Sequence, residues 1–328
     1  LAKLLEFKNY SLGFKNYKGN VYNLLDNINF DVEEGEAVGV VGESGCGKSM
    51  MSLSIMGLLP PSAVIQGGQI LFKGEDLIKK SKEEIQKIRG KEISMIFQEP
   101  MTALNPVLTI GFQIGEVLKT HFPNLKKEEI AKAVIKQLEL VGIPNPEIRV
   151  KQYPHQFSGG MRQRVMIAMA IICHPRLLIA DEATTALDVT IQAQILDLMK
   201  RLKKDGSLMV VTHNLGVVAQ LCDKVVVMYA GRIVERGSLA DILEKPLHPY
   251  TRGLIAAIPK LSSNKEELYT IPGSVPTIDS FEKGCRFYSR CEYGVEKCKI
   301  EVPPIEEINK NHYVQCWLYS GAGGTNYE

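Results

Sequence analysis

Apolar positions along the chain fall into two rhythms, and their order predicts the architecture. The stretch "EAVGVVGESGCGKSMMSLSIMGLLP" opens with an unbroken apolar run, Ala37 to Val41, passes through a glycine-rich loop, and resumes as a helix that stops before Pro60 and Pro61. In "KKEEIAKAVIKQLELVGI" the apolar residues Ile130, Val134, Leu138 and Val141 recur at helical spacing, with acidic residues near the start. "TIQAQILDLMKRLKKD" repeats that pattern with Ile191, Ile195, Leu198 and Leu202, and gathers its cations at the C-terminal end. "RLLIADE" and "SLMVVTH" are short apolar runs closed by polar residues, the pattern of central strands in a parallel sheet. "KVVVMYAGRIVERG" predicts two strands joined at Ala230 and Gly231. Strands and helices alternate, so the fold class is α/β.

Beyond that hairpin the rhythm fades. Prolines recur from "KPLHPYTRGLIAAIP" onward, cysteines appear, and the tail "SGAGGTNYE" predicts disorder. A chain of 328 residues suits roughly two domains. With 39 Lys+Arg against 37 Asp+Glu the net charge is only +2, which gives no ground for nucleic acid as the main partner. The longest apolar runs, such as "VMIAMAIIC", fall short of the roughly 18 residues that span a bilayer, and no signal pattern opens the chain. The expectation is a cytoplasmic protein that reaches any membrane process by docking on another polypeptide.

The strongest chemical signal is "GESGCGKS", which satisfies GxxxxGK[ST] at every fixed position. Gly42, Gly45 and Gly47 let the backbone curl so that N–H groups along Gly42, Glu43, Ser44, Gly45, Cys46, Gly47, Lys48, Ser49 and Met50 face phosphate oxygens. The following helix adds its positive end, Lys48 reaches the β and γ phosphates, and Ser49 offers a magnesium ligand. This is a nucleoside triphosphate site. "LLIADE" supplies the acids such a site needs: Asp181 for magnesium and Glu182 to polarise an attacking water.

Between these motifs stands "FSGGMRQRV", Phe157 to Val165, and here the chain resembles the ATP-binding cassette (ABC) ATPases. Ser158, Gly159 and Gly160 match the signature motif, at the start of a helix whose bare N–H groups suit an anion. The resemblance extends to "IFQEP", "TTALD" and "VVTHN", which imply Gln98 as the Q-loop glutamine and a magnesium ligand, Asp188 in the D-loop, and His213 as the switch histidine. Read on its residue type alone, His213 is more often a core histidine with a satisfied ring. Met161 and Ala183 depart from the common cassette pattern, where Gln and Pro stand. An aromatic ahead of the first core strand stacks on adenine in the family; Phe14, Tyr17 and Tyr22 are available, with Phe14 favoured by spacing and Tyr22 left open by loop length.

More narrowly, "EPMTALNPVLTIGFQIGE", "ADEATTALDVTIQAQIL" and "PLHPYTRGLIAAIP" resemble the D-type ATPase subunits of dipeptide and oligopeptide importers, nearly end to end. That implies a P-loop (RecA-like) core over residues 1–236 with a helical subdomain inserted at about 99–174, and a small cysteine-bearing C-terminal domain over 237–328. It implies ATP and Mg²⁺ as ligands, and a second ATPase subunit closing on two ATP molecules with the signature of one chain facing the nucleotide of the other. It also implies two membrane permease subunits, an extracytoplasmic binding protein that chooses the cargo, and a place on the cytoplasmic face of the membrane. A nickel carrier is built on the same pattern, and a soluble ABC ATPase without a transport role is the remaining alternative.

Seven cysteines are spread unevenly, and four fall near the end: Cys285, Cys291, Cys298 and Cys316. In a reducing compartment they read as thiolate ligands, while Cys46, Cys173 and Cys222 stand isolated. Their intervals of five, six and seventeen residues contain no CxxC pair of the kind zinc sites favour. The importer ATPases carry a similar region, some of them resembling iron–sulfur proteins there, which favours a structural [4Fe-4S] cluster with zinc as the alternative.

Overall fold

The computed structural model describes residues 2–98, 103–183, 189–204, 206–258 and 269–320. The Asp188 assignment and the disordered-tail expectation from residue 321 onward fall outside them. In chain order the strands are β1 (Lys3–Lys15), β2 (Val21–Glu33), β3 (Ala37–Val41), β4 (Ala63–Phe72), β5 (Glu75–Asp76), β6 (Ile93–Ile96), β7 (Leu177–Asp181), β8 (Ser207–Thr212), β9 (Lys224–Tyr229), β10 (Arg232–Ser238), β11 (Glu306–Asn309) and β12 (His312–Val314). Contacts divide the chain into two compact units: Leu1–Leu4, Val32–Ala37 and Leu77–Val211 form one, and Leu5–Asp31, Val38–Asp76 and Thr212–Glu328 the other.

In the first unit β6, β7 and β8 pair in parallel, in that order. All three are buried along their paired length, which is why their sequences read as continuous apolar runs. The described helices before residue 245 are α1 (Lys48–Met56), α2 (Lys82–Ile88), α3 (Ile110–His121), α4 (Lys127–Leu140), α5 (Pro146–Arg149), α6 (Gly159–Ile171), α7 (Val189–Leu202), α8 (Leu215–Leu221) and α9 (Leu239–Glu244). Of these α3, α4 and α6 pack on one another within the first unit. Val134 and Leu138 are buried on α4, and Ile195 and Leu198 on α7. Glu128 and Glu129 occupy the first turn of α4, and Lys200 and Arg201 the last turn of α7, each complementing the helix dipole.

In the second unit β2, β1, β4 and β5 form one sheet, antiparallel where β1 meets β4 and β4 meets β5, and β11, β12, β10, β9 and β3 lie in that order in another. Parallel pairing of β3 with β9 places the glycine-rich loop beside the β9–β10 hairpin. That hairpin turns on Ala230 (φ 44°) and Gly231 (φ 82°), the two positive φ values of a tight two-residue connection. A Cβ at Gly231 would fall 1.5 Å from the Leu24 carbonyl oxygen, so no other residue fits. The C-terminal segment builds onto this unit: β12 pairs with β10, and α10 (Pro249–Ala256) precedes α11 (Glu296–Ile300). Strands β11 and β12 carry too few apolar residues to be legible from periodicity.

Candidate functional site

The second unit carries the glycine-rich loop. It leaves the buried β3 at Val41 and enters α1 at Lys48, the strand–loop–helix order the sequence predicts. Gly42 has no alternative, because a Cβ there would sit 2.2 Å from the Met228 carbonyl oxygen. Gly47 serves as N-cap of α1 with no side-chain cap, so the first-turn N–H groups face the loop without a side-chain acceptor. Lys48 is 5% exposed, and its Nζ donates to the carbonyls of Gly42 (2.8 Å) and Glu43 (2.9 Å). Its ammonium is thereby held over the loop rather than in solvent. Ser44 and Gly45 are exposed at the loop's crest, Ser49 and Met50 are half-buried behind it, and Cys46 is buried, with its thiol pushed up by burial and pulled back by the Lys48 charge.

The two aromatics proposed for adenine lie in the same unit. Phe14 is near the end of β1 and pairs with Ala63, while Tyr22 opens β2 across from Gly13; both are half-buried. Tyr17 is 92% exposed in the intervening turn. His213 follows β8 and is exposed, which removes the core-histidine reading; Asn214 beside it caps α8 by accepting from Gly216 N–H.

The first unit carries the acids. Asp181 ends β7 and is buried, an environment in which a carboxylate needs charge or strong donors around it. Glu182 leaves the strand with φ 47°, a left-handed conformation uncommon for a non-glycine residue. That turn is secured by Glu182 N–H donating to the Val211 carbonyl at 2.8 Å. It swings the side chain toward Gln98, whose Nε2 donates to Glu182 Oε2 at 2.8 Å. Two residues separated by 84 positions, each singled out for hydrolysis, thus meet directly. Ala183, where the cassette pattern has Pro, is buried and its carbonyl accepts from Gln163 Nε2 of α6 at 2.7 Å.

The same helix begins at the proposed signature. Ser158 is the N-cap of α6 and its Oγ accepts from Met161 N–H at 3.3 Å. Ser158 and Gly159 are exposed and Gly160 is half-buried. A side chain would find open space at Gly159 but would press on Ile191 at Gly160, with Cβ 3.0 Å from Cγ2.

All seven cysteines are free thiols. Cys285, Cys291, Cys298 and Cys316 line a single cavity of about 90 Å³, with His248, Tyr288 and Trp317 among the other walls. No three His, Cys, Asp or Glu among the described residues lie close enough together to hold one metal ion. Burial pushes the Cys291 thiol up to about 11 and the Cys316 thiol up to about 12, with neighbouring cysteines adding to both. Ionising the set therefore needs a positive partner in the cavity.

Sequence reasoning missed the surroundings of Glu43. Arg290 and Tyr250, both from the C-terminal part of the chain, bind it directly. No local signal marks either residue, since each contact spans more than 200 positions.

The fold is that of a nucleotide-binding ATPase cassette. The family model for the ABC transporter matches residues 25–185, and that for the oligopeptide/dipeptide transporter C-terminal region matches residues 234–298. The dipeptide transport ATP-binding protein DppD of Bacillus subtilis is 52% identical, over 97% of this chain and 95% of its own. The oligopeptide transport ATP-binding protein OppD of the same organism is also 52% identical, covering 97% and 89%. Among solved structures, a dimeric ATP-binding cassette in a post-hydrolysis state with ADP and phosphate is 27% identical, covering 72% of this chain and 98% of its own with a TM-score of 0.65. The chain belongs to the ATP-binding subunits of ABC transporters, in the branch that carries the oligopeptide/dipeptide transporter C-terminal region, and it is an ATPase. No helix among the described residues is long and apolar enough to cross a membrane.

Proposed function

We propose that this ATPase powers the import of dipeptides or oligopeptides, working on the cytoplasmic face of the membrane against two permease subunits and paired with a second ATPase subunit. The observation that carries the reading is the likeness over 97% of the chain to proteins named for dipeptide and oligopeptide transport. Those names disfavour the nickel cargo. The first unit also exposes Val107 (75%), Phe112 (54%) and Ile148 (64%), apolar side chains that suit docking on another protein. An extracytoplasmic binding protein delivers the peptide, and nucleic acid has no part.

In this reading the loop N–H groups and Lys48 take the phosphates of ATP, and Phe14 or Tyr22 takes the adenine. Ser49, Gln98 and Asp181 supply oxygen donors, the chemistry magnesium prefers, and would hold an ion there that would offset phosphate charge. Glu182 polarises the attacking water, and Gln98, already hydrogen-bonded to it, fixes its direction. His213, exposed after β8, acts at the γ-phosphate. Ser158, Gly159 and Gly160 meet the nucleotide of the partner subunit; Asp188, the D-loop residue, lies outside the described residues. Reconstitution of the chain with its permease and binding protein tests the whole: vesicles should accumulate a labelled dipeptide with ATP hydrolysis. Hydrolysis without any permease association, or retention on DNA at moderate salt, would remove the transport role.

For the four cysteines, we infer a [4Fe-4S] cluster held by Cys285, Cys291, Cys298 and Cys316 in a small C-terminal domain, residues 237–328. What supports it is their convergence on one cavity of about 90 Å³, together with sequence intervals that contain no CxxC pair. The cluster would cross-link a segment short of periodic apolar residues.

A further inference from the structure

Glu43 is the one acidic residue of the glycine-rich loop, and it is held from two directions. Arg290 grips its carboxylate with both arms, Nη1 donating to Oε2 at 2.7 Å and Nη2 to Oε1 at 3.1 Å. The guanidinium is itself fixed from behind: Nε donates to the Pro272 carbonyl at 2.8 Å, Nη2 to the Ile271 carbonyl at 3.3 Å, and Nη1 to the Tyr229 hydroxyl at 3.4 Å. Its side chain is only 5% exposed, so the fork has little freedom to leave. Meanwhile Glu43 N–H donates to Oη of Tyr250 at 2.8 Å, and Tyr250 is buried edge-on against Tyr229.

This clamp reaches the phosphate-binding groups through one residue. Lys48 Nζ is held by the carbonyls of Gly42 and Glu43, so a displacement of Glu43 displaces the cradle of the lysine. At Gly42 any side chain would strike the Met228 carbonyl, so that end of the cradle must stay glycine. A bidentate guanidinium–carboxylate pair is both stronger and more directional than a neutral contact, and lysine cannot reproduce its geometry.

We propose that Arg290 is a positioning residue for nucleotide binding: acting through Glu43, it holds the phosphate loop in the curled form that receives ATP. The proposal rests on the reading of Gly42–Ser49 as the phosphate site. It makes nucleotide affinity a property of the C-terminal region as well as of the cassette core. Arg290 directly precedes Cys291, so the clamp and the four-cysteine cavity share one turn of chain.

The test is binding of Mg-ATP to the full-length chain by calorimetry, with steady-state hydrolysis alongside, for wild type, R290Q, R290K, E43Q and the E43Q/R290Q pair. R290Q should bind Mg-ATP about tenfold more weakly and raise KM in proportion, with kcat within about twofold; R290K should recover only part of the loss. In the E43Q background R290Q should add less than about twofold, because its partner is already gone. Wild-type affinity in R290Q, or a loss undiminished by E43Q, would overturn the clamp and leave Arg290 a strut of the C-terminal region. If R290Q does not fold, R290K decides: about threefold weakening that E43Q abolishes supports the clamp, and no weakening overturns it. A wild-type chain that fails to bind Mg-ATP would overturn the phosphate-site reading and the clamp together, whereas binding that R290Q leaves unchanged overturns the clamp alone.

Discussion

Arg290 and Glu43 stand 247 residues apart and meet as a bidentate ion pair, at 2.7 and 3.1 Å. The cysteine-bearing end of the chain is therefore distant from the glycine-rich loop in sequence and in contact with it in space. Cys291 substitutions should consequently be examined for nucleotide affinity as well as for metal content.

Glu182→Gln should preserve ATP binding and lower hydrolysis at least about 100-fold, because an amide cannot polarise water while Lys48 and the loop remain intact. The Gln98 contact survives as an amide–amide pair, so the variant should stay folded. Binding by calorimetry and phosphate release together check this. Turnover within a few-fold of wild type would move the base elsewhere.

Gly160→Asp would place a carboxylate at the start of α6, where the proposed partner nucleotide presents phosphate, and should block dimer closure while sparing ATP binding to the same chain. Steric pressure on Ile191 complicates that variant. Gly159→Asp is the cleaner probe, since its side chain enters open space. Sedimentation of Glu182→Gln with ATP, with and without Gly159→Asp, should show the dimer disappear. Loss of ATP binding by the isolated Gly159→Asp chain would count against action across the interface.

Protein purified without oxygen should be brown, with about four irons and about four acid-labile sulfides per chain. Cys291→Ser should bleach it and loosen the C-terminal segment, read by limited proteolysis. Colourless anaerobic protein with one tightly held zinc would replace the cluster with a four-thiolate zinc site.

Glu235 is 1% exposed and accepts from Leu247 N–H, His248 N–H and His312 Nε2, each at 2.8 Å, joining β10, β12 and the turn before α10. Glu235→Ala strands these buried donors and should cost about 3 kcal/mol or more in urea denaturation. Glu235→Gln keeps one acceptor oxygen and should recover part of the loss. A cost below about 1 kcal/mol for Ala would show that water replaces the carboxylate.

What the sequence determined by itself is the set of features whose physics is short-range. Strands Ala37–Val41, Leu177–Asp181 and Ser207–Thr212 were legible because full burial of a parallel strand leaves an unbroken apolar run. The turn at Ala230–Gly231 was legible because Gly231, with φ 82°, breaks two apolar runs of strand length. The phosphate loop was legible because its chemistry lies in eight consecutive residues. Tertiary structure alone decided that Glu182 turns through φ 47° to meet Gln98, that four cysteines over a 32-residue span face one cavity, and that Arg290 seizes Glu43. Each of these joins groups whose own neighbours in sequence say nothing of the partner. A glutamate in a loop and an arginine among aromatics and cysteines look the same whether they meet or face water, and only the order in which strands pair brings them within reach.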